Sequence, residues 1–137
     1  MRFRPCVPAL ALMLLAPVLP ARGEDGAEIR GVIGAQIEAF AADDLAAAFG
    51  FASPMIRHMF QTPETFGNMV RQGYPMIWRP GAVRYLGLRE EDGRMLQRMG
   101  FVDGEGRLHL FDYDMVQSRD GWRINGVHPV SAPAAGV

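Results

Sequence analysis

The chain has no lysine. All fourteen of its basic side chains are arginine. Three of these, Arg2, Arg4 and Arg22, precede Glu24, and no acid does; the remainder sets eleven arginines against fifteen acids, a formal net charge of −4. That balance argues against a nucleic-acid surface, which needs a clustered basic face. There is one cysteine, Cys6, and no thiol after it. Disulfides, thiol catalysis and cysteine-ligated metals are therefore excluded from the body of the chain. The three histidines, His58, His109 and His128, stand at no ligand spacing, so neither a metal nor another cofactor is expected. No glycine-rich phosphate loop joins a strand to a helix, and there is no Gly-x-Ser-x-Gly.

What is present begins with a leader. Arg2 and Arg4 make a positive start, and Val7 to Leu19 is apolar but broken by Pro8 and Pro17. The run falls short of the roughly 20 residues that span a bilayer. Ala21-Arg22-Gly23 places small residues at the third and first positions before a cleavage after Gly23. Residues 1–23 are accordingly expected to be a signal peptide, 24–130 a single domain and 131–137 a disordered tail. An uncleaved N-terminal anchor is the alternative. Cys6 follows no lipobox-like pair, so a lipoprotein is not expected. The protein should be exported, periplasmic or extracellular, with no membrane insertion after cleavage. A domain of roughly a hundred residues can bury a core, though one of marginal stability.

The first half reads as helices. Ile29, Val32, Ile33, Ile37 and Phe40 recur at steps of three and four, which predicts an amphipathic helix from about Gly26 to Ala41. Gly31 and Gly34 weaken it and suggest close packing against a neighbour. Asp43 or Asp44 caps a short second helix through Leu45, Ala48 and Phe49. Ser53-Pro54 and Thr62-Pro63 are two helix starts of the same design, a hydroxyl cap followed by proline in the first turn. Gly73 sits where a terminating glycine would end the second of these. Pro75 to Pro80 reads as an extended, proline-bounded segment, a short edge strand.

From Ala82 the period changes to two. Val83–Leu88, Met95–Val102, Leu108–Val116 and Trp122–Val130 are separated by Glu91-Asp92-Gly93, Asp103-Gly104-Glu105-Gly106 and Arg119-Asp120-Gly121. Asp-Gly pairs between alternating runs are hairpin signals. The expected fold is α+β, with N-terminal helices packed on a curved antiparallel sheet of four to five strands.

This order of elements resembles the nuclear transport factor 2-like superfamily, the conical fold also used by ketosteroid isomerase and scytalone dehydratase. More closely, Gln36-x-x-Ala39-Phe40, Asp43-Asp44, Ala48-Phe49, Phe51-Ala52-Ser53-Pro54-x-Ile56, Phe60, Thr62-Pro63, Phe66, Met69-Val70, Gly73-Tyr74-Pro75, Arg79-Pro80, Gln97, Tyr113 and Gly121-Trp122-Arg123-Ile124 are similar to domain-of-unknown-function family 4864. The resemblance implies a cone-shaped fold and a bacterial, exported origin. It carries no catalytic residue over, because that family brings no established activity.

Candidate site residues follow from the residue types. Tyr74, Met76 and Trp78 alternate and would share one side of the Pro75 segment; amphipathic aromatics beside a cavity bind ligands well. Arg71 and Arg79 flank them and could receive an anion, or simply be surface residues. His58 on the Ser53-Pro54 helix is either a pocket acid–base group or a surface histidine. His109 and Tyr113 belong to the alternating set of the third strand and point into the cone if that set faces the helices; otherwise Tyr113 is core and His109 rim. Asp112 and Asp114 share the opposite face, expected to be balanced by Arg98 and Arg123. Three functions stay open. The chain is a non-catalytic binder of a small apolar ligand, or a dehydratase- or isomerase-type enzyme using His58 or His109 with Tyr113. Alternatively it is an interaction module that forms a homodimer through the sheet face, near Leu86, Leu88, Asp112 and Asp114.

Overall fold

The computed structural model describes residues 2, 3, 5 and 22–131. Residues 1, 4 and 6–21 of the expected leader and the tail beyond Ser131 therefore lie outside the description of the fold. Five helices precede four strands: α1 (Arg22–Ala41), α2 (Leu45–Gly50), α3 (Pro54–Phe60), α4 (Pro63–Gly73), α5 (Pro75–Trp78), β1 (Ala82–Glu91), β2 (Arg94–Val102), β3 (Leu108–Ser118) and β4 (Gly121–Val130). The strands form one antiparallel sheet in the order β1-β2-β3-β4, an α+β architecture with a four-strand meander.

The helix starts follow the capping chemistry in the sequence. Asp44 accepts from the Ala47 amide at 3.1 Å, Ser53 from Ile56 at 3.3 Å and Thr62 from Thr65 at 3.2 Å. Pro54 and Pro63 occupy first-turn positions, where no amide hydrogen is needed. Two expectations are corrected. The Pro75 segment is not a strand; it is the one-turn helix α5. Gly73 does not terminate α4 in a left-handed conformation. Tyr74 is the C-cap of α4 and the N-cap of α5, with φ −135° and ψ 59°. Pro75 excludes the helical region for the residue before it, and this breaks the chain there.

The sheet is shaped by two bulges. One lies in β1 between Tyr85 and Leu88. It turns Leu88 toward the helices, where it packs on the core, and leaves Leu86 exposed. The Gln97 side-chain amide donates to the freed Leu86 carbonyl at 3.1 Å. The expectation that Leu86 and Leu88 share an outer face is thus reversed for Leu88. The second bulge, at Asn125 in β4, is where the chain between α2 and α3 docks. Ser53 N donates to Ile124 O and Ile124 N to Phe51 O, extending β4 by a parallel bridge at Ala52. The Asp92-Gly93 hairpin has positive φ at both turn residues, 52° and 78°, as a two-residue turn requires.

The core lies between the sheet's inner face and α1, α2, α4 and α5. Ile29, Ile33 and Phe40 from α1 meet Met99, Phe101, Phe111, Tyr113 and Met115 from β2 and β3. α1 is also tied to β4, because Asp25 and Glu28 accept from the Trp122 indole and backbone N–H at 3.3 and 3.4 Å. Among the described residues no helix is long and apolar enough to cross a membrane.

A candidate ligand-binding cavity

A cavity of about 370 Å³ opens between the helices and the end of the sheet. That lies within the ~300–1,000 Å³ range of small-molecule sites. Its walls come from six elements: Gln36 and Phe40 of α1, Met55, Ile56, Met59 and Phe60 of α3 with Ala52 just before it, Phe66, Met69 and Val70 of α4, Tyr74 and Ile77 around α5, Tyr113 of β3 and the β4 stretch Ile124–His128. Phe66 organises the aromatic side of this wall, with ring centroids 6.0 Å from Phe40, 5.5 Å from Phe49 and 5.7 Å from Phe60. Met55 and Met59 stand at the mouth, 52% and 61% exposed. α3 carries no buried residue and lies across the opening.

Few polar atoms reach this wall. Gln36, buried on α1, donates its amide to the Ala48 carbonyl at 3.1 Å. Tyr113 is fully buried, and its hydroxyl has no hydrogen-bond partner. Burial, and then the neighbouring Tyr85 and Tyr74, push its ionisation far above the usual phenol range, so it stays a neutral donor.

The structure separates the six residues singled out in the sequence. Tyr74 and Tyr113 line the cavity. Met76 and His109 line a second, shallower recess of about 250 Å³ with Arg79, Asp103 and Arg107. Trp78 lines neither; it packs on Phe40 at 5.4 Å and under the Arg79 guanidinium at 4.8 Å. His58 is exposed on α3 and lines neither. The shared face inferred for Tyr74, Met76 and Trp78 does not exist, because a helical turn distributes them around its axis. His109 does lie on the inner side of β3 but at its end, with Nε2 2.8 Å from Asp103 Oδ2. That contact and the loop amides of Arg107 and Glu105 hold the Asp103 carboxyl well below the usual carboxylate range.

The wall residues that sequence reasoning missed include Gln36, Phe40, Ile77 and the β4 stretch Ile124–His128. The last depends on the Asn125 bulge, which carries no signature in the strand pattern. Arg79 is not held ready for an anion. It donates to the Phe40 carbonyl at 2.6 Å and pairs with Asp43 at 2.7 Å. On the outer face, Asp112 takes Arg89 and Arg98, and Asp114 takes Arg94. Arg123, expected to join them, donates instead to the Trp122 carbonyl. Among the described residues no group of three or more histidine, cysteine or acidic side chains is placed to hold a metal.

Helices first, a four-strand meander second and an apolar cavity between them define an α+β domain with an internal pocket. Residues 22–137 match the model of the family described as Domain of unknown function (DUF4864), and the chain belongs to that family. No curated protein and no solved structure matches the chain.

Proposed function

We propose that this domain is a non-catalytic binder of a small, largely apolar molecule, working outside the cytoplasm after removal of residues 1–23. The observation that carries the reading is the cavity itself: about 370 Å³, walled mainly by aromatic, methionine and branched aliphatic side chains from six elements. Filling such a space with an apolar ligand removes surface from water at about 25 cal/mol per Å². The non-catalytic part of the reading is supported by the placement of His58 and His109 outside the cavity and by a lining without a carboxylate; His128, the one histidine in that lining, is exposed near the end of β4. Membership of the nuclear transport factor 2-like superfamily belongs to the same proposal. Its support is the helices-then-meander order and the position of the cavity between the two layers.

Native mass spectrometry of protein purified from its own host tests this. The expected result is a second population heavier than the apo chain by the mass of one small molecule, lost when the sample is extracted with organic solvent. The same spectrum gives the N-terminus, which should be Glu24. A single apo mass in repeated preparations, with no uptake of an added apolar dye, would overturn the binding proposal.

A further inference from the structure

One side chain of the cavity lining carries a buried polar atom with no role in the packing. Tyr113 sits on the third strand, fully buried, and it lines the cavity. Its hydroxyl is without a hydrogen-bond partner. Phenylalanine would fill the same space with no orphaned group, and buried polar groups are as a rule satisfied. Two other buried polar side chains at this end of the fold are engaged. Gln36 bonds the Ala48 carbonyl, and Ser53 donates to Asn125 Oδ1 at 2.8 Å.

We propose that the Tyr113 hydroxyl selects the ligand: an uncharged, mostly apolar molecule with one accessible acceptor oxygen, a ketone, aldehyde or ether, seated on that hydroxyl. This rests on the reading of the cavity as a ligand site. The apolar body fits a wall of Phe40, Phe66, Met69 and Ile77. The acceptor follows from Tyr113, which keeps its proton and so presents a donor. The absence of charge follows from the placement of the arginines. None lines the cavity; Arg79 is held by Asp43, Arg89 and Arg98 by Asp112, and Arg94 by Asp114, and the one basic side chain in the lining, His128, is exposed to solvent near the end of β4. A carboxylate moved beside Tyr113 would exchange its hydration for one neutral hydrogen bond, which is unfavourable. A purely structural account would pair Tyr113 with Gln97. Gln97 lies directly across the strand, and its Oε1 is also buried without a partner. The experiment has to separate these two accounts.

Three probes with one skeleton do so: 2-acetylnaphthalene, 2-ethylnaphthalene and 2-naphthoate, titrated calorimetrically into the full domain and into Tyr113→Phe. The ratio of ketone to hydrocarbon affinity should fall about 3- to 10-fold in Tyr113→Phe, the worth of one neutral hydrogen bond. Binding of 2-ethylnaphthalene should change by less than about 2-fold, because the apolar wall is untouched. In the unmodified domain 2-naphthoate should bind weakest, and the melting temperature of Tyr113→Phe should be equal or higher. If the hydrocarbon binds but the ratio is the same in both proteins, or if 2-naphthoate binds tightest, the inference fails and the cavity reading stands. A lowered melting temperature together with an unchanged ratio assigns the hydroxyl to Gln97 and also overturns it. If none of the three probes binds, the cavity reading falls with it.

Discussion

At the scale of single residues, the outer face of the sheet makes the strongest electrostatic statement. Asp112 is nearly buried, and Arg89 and Arg98 converge on its two oxygens at 2.8–3.2 Å. The Arg89 hydrogen bond foremost, against the opposing effect of burial, holds its carboxyl down to about 2, from an ordinary 3.8. A carboxylate whose folded pKa is depressed contributes stability that is complete above its unfolded pKa. That contribution is lost as the pH falls toward the folded value. The pKa difference alone would set it at about 2.5 kcal/mol. The two arginine side chains are 41% and 36% exposed and screened by water, so about 1–2 kcal/mol is the better figure. Asp112→Asn should therefore lower stability by about 1–2 kcal/mol at pH 7 and by much less near pH 2. Urea midpoints of the two proteins at pH 7, 4 and 2.5 check this; a constant gap across that range would refute it. Asp103 shares the same direction, so the variant keeps part of its acid sensitivity. The pair Asp112 and Asp114 was legible in the strand pattern, and so was one partner, Arg98, but Arg89 and Arg94 were not. Which arginine reaches which carboxylate depends on cross-strand register, and the β1 bulge shifts that register between Tyr85 and Leu88.

At the scale of elements, the caps decide where the helices stand. Ser53 is buried and has three roles: its hydroxyl accepts from Ile56 N, it donates to Asn125 at the β4 bulge, and its backbone N–H bonds Ile124 O. Ser53→Ala removes the first two and should cost about 1–2 kcal/mol, at the upper end of cap losses. Thr62→Ala at the exposed start of α4 should cost about 1 kcal/mol or less. Thermal melts of both variants rank them; the reverse order would mean that α3 is not fixed through Ser53. The two α1 glycines also differ. A Cβ at Gly31 would meet nothing within 4 Å, whereas at Gly34 it would come 2.8 Å from the Tyr85 hydroxyl. Gly31→Ala should stabilise by about 0.5–1 kcal/mol, the helix-propensity gain, and Gly34→Ala by less. The sequence suggested close packing for both glycines, and only Gly34 has it. Ser53-Pro54 and Thr62-Pro63 were legible because a hydroxyl cap before proline is a local device. Tyr74-Pro75 opens a helix the same way but without a side-chain cap. Over four residues, alternation and one helical turn look alike in sequence, so α5 was misread as a strand.

At the scale of the whole molecule, the four strands and the layer order were legible, since turn chemistry and period are written along the chain. The cavity was only half legible. Tyr74, Met69 and Phe66 stand out as apolar or aromatic, but Gln36 and the β4 stretch become wall only through long-range packing. The same packing predicts an uneven distribution of stability. β2 and β3 are covered on both edges and carry Met99, Phe101, Tyr113 and Met115, each 1% exposed or less. α3 contributes no buried residue. It ends in a tight turn at Gln61, with φ 71° and ψ −47° and a Thr62 N–H to Phe60 O bond of 2.8 Å. A non-glycine residue in that region of backbone space stores strain, at about 1–3 kcal/mol. Opening α3 releases the strain and exposes little apolar surface, so it should be the lowest-energy opening of the helical layer. In hydrogen exchange followed by mass spectrometry, the Arg57–Gln61 amides should exchange well before those of α1 and α4. The β2–β3 core should exchange last, near the global unfolding limit. Saturating 2-acetylnaphthalene should slow the α3 amides more than those of β1, because Met55 and Met59 lie over the mouth of the cavity and β1 does not border it. Equal protection of α3 and β3 in the free protein would mean that the mouth is a fixed wall, and ligand entry would then have to proceed by another route.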